Sequence, residues 1–133
     1  MTQAHVWKGS PFTIERKEGK APETVIFQFS GPFTARDMFG KLTPDALAEV
    51  LDLQTTEGGQ LPAVHILDLT EVPYMDSTGL GTIVKHYVRC HSKGTRLIAA
   101  GANPRVTELF KLTKVDAIIP MVALVEEAEG LSS

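Results

Sequence analysis

The alternation of apolar and polar residues divides the chain into short strands and helices. Phe12, Ile14 and Arg16 alternate with Thr13, Glu15 and Lys17, which predicts a short strand. Glu18-Gly19-Lys20-Ala21-Pro22 reads as a turn, so the next strand should pair antiparallel with the first. Between Glu23 and Ser30, Val25, Phe27 and Phe29 fall on one face and Thr24, Ile26 and Gln28 on the other. That is a strand with one buried face and one partly wet. Gly31-Pro32 ends it, and Phe33 to Leu42 shows no clear period. Thr43-Pro44-Asp45 then opens a helix, with Thr43 as cap and Pro44 where no bonded N–H is lost. Ala46, Leu47, Val50, Leu51 and Leu53 supply its apolar stripe, and Gly58-Gly59 stops it.

From Leu61 the period alternates between strand and helix. Ala63 to Leu69 is apolar on both faces, as a central strand under helices should be. A helix from about Thr78 to Ser92 follows, with Leu80, Ile83, Val84, Tyr87, Val88 and His91 on one face. Gly94 breaks it, and Thr95 to Ala100 is the next buried strand. Asn103-Pro104 starts a helix that turns Val106, Leu109, Phe110 and Thr113 inward. A short strand near Ile118 and Ile119 should end at Pro120 or lie at an edge, since proline cannot donate to a ladder. Val122 to Glu129 makes a last short helix. The expected fold is α/β: a mixed sheet of four to five strands, antiparallel at the start and parallel afterwards, covered by about four helices. A single domain spans residues 1–133, with a core of about 12–129 and loose termini at 1–11 and 130–133.

Composition narrows the field. Of 133 residues, 43% are hydrophobic and 22% charged, enough for a core and too few charges for wholesale disorder. A net charge of −3 without a Lys/Arg cluster argues against nucleic acid. One cysteine, Cys90, excludes an intramolecular disulfide, suits a reducing compartment and reads as a packing residue on a helix edge. The N-terminus lacks an apolar stretch of signal-peptide length. The run from Ile118 to Val125 falls far short of the ~20 residues that span a bilayer. These features imply a soluble, cytoplasmic chain without membrane insertion.

Chemistry concentrates at Tyr74-Met75-Asp76-Ser77-Thr78-Gly79-Leu80-Gly81, a loop that ends in a helix start. Two hydroxyls stand there beside an acid, where free backbone N–H groups and a positive helix end favour a phosphate. The two glycines are poor helix formers, at about 1 kcal/mol each relative to alanine, so a close approach to the sheet or to a partner is expected. Gly79-Leu80-Gly81 lacks the third glycine of a dinucleotide loop. Asp68 ends a strand as a receiver-domain phosphoacceptor does, but no acidic pair follows the first strand. Asp68 and Asp76 lack further ligands for a metal, and His5, His65, His86 and His91 show no metal spacing. Neither a cofactor nor a metal is expected, and His65 and His91 read as packed residues. No nucleophile–base–orienter set assembles, which argues against an enzyme.

Asp76-Ser77-Thr78-Gly79-Leu80-Gly81 resembles the signature of the STAS domain found in anti-sigma factor antagonists. The resemblance runs from about Val64 to Val125 and includes Gly94-Thr95-Arg96-Leu97 and Leu109-Phe110-Lys111-Leu112-Thr113. Gly31-Pro32-Phe33-Thr34 departs from the family's usual turn. The resemblance implies that Ser77 is phosphorylated by an ATP-using anti-sigma serine kinase of GHKL type and restored by a PP2C-type phosphatase. It also implies that the unphosphorylated form binds the kinase and frees a sigma factor, with Asp76, Ser77, Thr78, Gly79, Leu80 and Gly81 on the docking surface. A weak homodimer stays open. The alternative is an unswitched STAS subunit of a lipid-transporting ABC complex, and the Asp-Ser pair favours the first.

Overall fold

Among the described residues six strands form one sheet in chain order: β1 (Gln3–Lys8), β2 (Thr13–Glu18), β3 (Thr24–Ser30), β4 (Val64–Glu71), β5 (Arg96–Ala100) and β6 (Met121–Val122). The computed structural model describes residues 3–8, 12–20, 23–38 and 62–131. β1, β2 and β3 pair antiparallel; β3 to β6 run parallel. Among the described residues the helices are α1 (Ala35–Met38), α2 (Ser77–Lys93), α3 (Pro104–Leu112) and α4 (Val125–Leu131), with a 3₁₀ turn at Val115–Ala117. The antiparallel start and parallel continuation are those expected from the sequence. The helix expected after Thr43 lies outside the described residues.

Burial follows from the strands' period of two. On one face, Phe27, Phe29, Leu67, Leu69, Leu97 and Ala99 pack with Leu80 and Ile83 of α2 and Val106 and Phe110 of α3. On the other, Ile26, Ile66, Ile98 and Ala100 pack with Ala128 of α4. Central strands covered on both sides explain why β4 and β5 read as unbroken apolar runs. Phe12, Phe29 and Phe33 close one end of the first layer, with Phe12 stacked on Phe33 at 4.7 Å between ring centroids and 12° between planes.

Three expectations need correction. Residues 3–8 are not a loose terminus but the outermost strand, which makes six strands against the four to five expected. A register shift between His5 and Trp7 breaks the alternation that would have signalled it. At the far edge, the strand follows Pro120 instead of preceding it, so Val122 lies in β6, and the last helix starts at Val125 and runs to Leu131 into the stretch expected to be loose. Pro120 has no N–H, but its carbonyl accepts from Ala99 N at 2.9 Å, and the ladder continues at Val122, whose carbonyl accepts from Gly101 N at 3.1 Å. Finally, α2 buries Gly79, Leu80, Thr82, Ile83, His86 and Cys90, while Val88 is 58% exposed and His91 lies outside, stacked on Tyr87. The buried seam contains polar residue types that an apolar count discards. Thr82 Oγ1 donates to the Thr78 carbonyl, and His86 Nε2 lies 3.0 Å from His65 Nδ1 and 3.4 Å from Cys90 Sγ, so these atoms are met inside.

Candidate functional site

The β4–α2 connection is fixed before it presents anything to solvent. Asp76 caps α2 in extended backbone geometry, its Oδ1 accepting from Gly79 N at 2.9 Å. Its Oδ2 accepts from Ala35 N at 3.0 Å, so one carboxylate holds the starts of both α1 and α2. Phe33 N donates to the Tyr74 carbonyl at 3.0 Å, and Phe33 and Met75 form a parallel bridge. The turn after β3 and the loop before α2 therefore make one body. Asp76→Ala should remove both carboxylate bonds and cost about 1–2 kcal/mol of stability. Asp76→Asn, which keeps a capping oxygen, should cost less, as urea unfolding of the two variants would show.

On this base Ser77 is exposed, at the first position of α2, and Thr78 is half-buried. The two glycines that follow differ. A Cβ on Gly79 would lie 2.2 Å from the Phe33 carbonyl oxygen, so the helix start touches the neighbouring turn backbone to backbone. A Cβ on Gly81 would meet nothing within 4 Å. Of the close approaches expected, to the sheet or to a partner, Gly79 makes one inside the domain, against the turn after β3, and Gly81 makes none there. Gly81 stands on the solvent side, one turn from Ser77 and two turns from exposed Val88, which makes a stripe on the outer face of α2.

The rim includes residues whose part in tying the site together the sequence did not show. Asn103 caps α3 by accepting from Val106 N at 2.9 Å and donates through Nδ2 to the Pro73 carbonyl at 2.9 Å, tying α3 to the loop. The Arg105 guanidinium sits 5.2 Å over the ring of Tyr74, which is 40% exposed. The Asn-Pro pair was visible as a helix start, but its second bond links segments 30 residues apart. Asp68 is buried, and its Oδ1 accepts from Thr70 N and Oγ1 at 3.0 and 2.6 Å, which makes it a strand-end brace. No helix among the described residues is long and apolar enough to cross a membrane.

The STAS domain family model matches residues 14–128, from β2 into α4 and across the Asp76–Gly81 helix start. This chain belongs to the STAS domain family. The STAS domain here is 38% identical over 88 residues to a Listeria monocytogenes anti-sigma-B factor antagonist, covering 66% of this chain and 75% of that protein. It superposes on a candidate anti-sigma factor antagonist from Thermotoga maritima with a TM-score of 0.71 at 20% identity, over 88% of this chain and 92% of the other. A sulfate transporter family protein from Wolinella succinogenes matches equally well, with a TM-score of 0.70 at 23% identity over 87% and 89%. At such identities the superpositions show the STAS fold alone, and that fold serves more than one role.

Proposed function

We propose that this STAS domain is an anti-sigma factor antagonist of the bacterial cytoplasm, switched at Ser77. In this reading its unphosphorylated form docks on a GHKL-type anti-sigma serine kinase through Asp76–Gly81 and the outer stripe of α2, and the kinase then releases its sigma factor. Phosphorylation of Ser77 blocks docking, and a PP2C-type phosphatase restores it. The domain is a binding module without catalysis of its own. The observation that carries the proposal is the exposure of Ser77 beside bare Gly81 on a helix start already closed by Asp76. The Listeria relative named as an anti-sigma-B factor antagonist supports it.

The physics of the switch is local. A serine hydroxyl is small and neutral and fits into an interface. A phosphate adds about −1.5 to −2 charges and strong acceptor oxygens. Asp76 already takes the Gly79 amide, which leaves the phosphate fewer N–H groups of its own domain and keeps its charge facing outward. Asp76 adds like charge beside it. Buried against a partner without a cation, that charge costs several kcal/mol. Incubation with the kinase and ATP should label Ser77, as peptide mass spectrometry would locate, and the Ser77→Ala protein should stay unlabelled. Label retained on that variant would reject Ser77 as the acceptor. An unswitched subunit of a transport complex would acquire no label at all.

A further inference from the structure

Toward the far end of α2, roughly 14 to 20 Å of helix from Ser77, three metal-binding side chains meet inside the core. His65 comes from β4, and His86 and Cys90 from successive turns of α2. They are 4%, 1% and 4% exposed. His65 Nδ1 and His86 Nε2 lie 3.0 Å apart, and Cys90 Sγ lies 3.6 Å from the first and 3.4 Å from the second. The ring of Phe27 stands edge-on to both imidazoles at 5.1 and 6.2 Å.

We propose that His65, His86 and Cys90 form a buried site for one thiophilic d10 metal ion, Cu(I) or Zn(II). The triangle has the right size. An ion about 0.8 Å out of its plane would lie ~2.1 Å from all three atoms, near ordinary metal–nitrogen distances and slightly short for metal–sulfur. The imidazole pair, hydrogen-bonded at present, would part by a few tenths of an ångström and tilt toward the ion. The ligand types suit a soft or borderline ion and not magnesium or calcium. Spacing on α2 is favourable as well, because residues i and i+4 share a helix face and both elements are rigid. Two imidazoles and a thiol make an expensive choice for packing alone, since each polar atom must be met inside.

The proton balance is simple. Cys90 gives up its thiol proton to solvent when the ion binds. The proton now between the two imidazoles moves to a ring nitrogen on the side away from the ion, His65 Nε2 or His86 Nδ1, both buried, so both histidines stay neutral. With Cu(I) the ion and the thiolate cancel in charge and three ligands suffice. Zn(II) leaves one positive charge in the core and calls for a fourth ligand such as water. Charge and coordination number thus favour Cu(I).

The test uses the full chain, reduced and stripped of metal. One arm titrates Zn(II); the other titrates Cu(I) anaerobically from a weak competing ligand. Native mass spectrometry should count one ion per chain with an apparent Kd below about 1 μM. The melting temperature should rise by about 5 °C or more at saturation. Cys90→Ala, with its fold checked by circular dichroism, should lose both effects. Co(II) added to the unaltered protein should give a thiolate charge-transfer band. Uptake in the Zn(II) arm alone supports the site and reverses the choice of ion. No uptake in either arm, or undiminished uptake by Cys90→Ala, overturns the proposal and leaves a hydrogen-bonded core cluster.

Discussion

Glutamate in place of Ser77 is expected to weaken binding of the anti-sigma kinase proposed as its partner at least tenfold while the domain melts at an unchanged temperature. The two halves of that expectation have separate causes. Ser77 is exposed at the positive end of α2, so a carboxylate there is neutral or mildly favourable to the free domain, at ~0.3–1 kcal/mol. In an interface the same charge must shed water without a cation to meet it, and ~1.4 kcal/mol of unmet desolvation is already a tenfold loss. Calorimetric titration of the kinase with Ser77→Glu, alongside melting curves, separates the halves. Equal affinity would remove the charge mechanism. A lowered melting temperature would mean that the substitution acts through the fold.

Gly79→Ala is expected to have the largest effect on stability, about 2–4 kcal/mol, which corresponds to a melting temperature lower by roughly 10 °C. The new methyl would fall 2.2 Å from the Phe33 carbonyl oxygen. That oxygen cannot swing aside, because Phe33 N is bonded to Tyr74 and the Phe33 ring is buried against Phe12 and Phe29. Relief requires the turn after β3 to move away from α2, which strains the Asp76 link to Ala35. Gly81→Ala is the contrast. Its Cβ would meet no neighbour, and alanine gains up to about 1 kcal/mol of helix propensity, so the protein should melt at the same temperature or higher. If that stable variant binds the kinase more weakly, the bare backbone at Gly81 serves the partner.

The sequence made the middle of the fold legible and blurred its edges. β3, β4 and β5 declared themselves because their burial is dictated by one strong period, as with Val25, Phe27 and Phe29, and α3 through its Asn103-Pro104 start, although Thr113, expected inside, is exposed. β1 did not, because its bulge interrupts the alternation. β6 was placed too early because Pro120 can accept but not donate, and only its carbonyl side is used. At the candidate site, the capping role of Asp76 was readable from residue type three positions before Gly79. Its second bond to Ala35 was not, since the two residues are 41 apart in sequence. The same limit hid the meeting of His65 with His86 and Cys90. The i, i+4 pair on α2 was in plain view, but the third ligand comes from another element 21 residues away.

The register shift between His5 and Trp7 has a consequence for how molecules of this domain can meet. Among the described residues β1 is the outer rim of the sheet, and the outer edge of such a strand invites an incoming chain. An approaching strand would find the donors out of step half-way along and would have to kink at the same place to follow them. Lateral strand addition at this edge is discouraged by the irregularity alone.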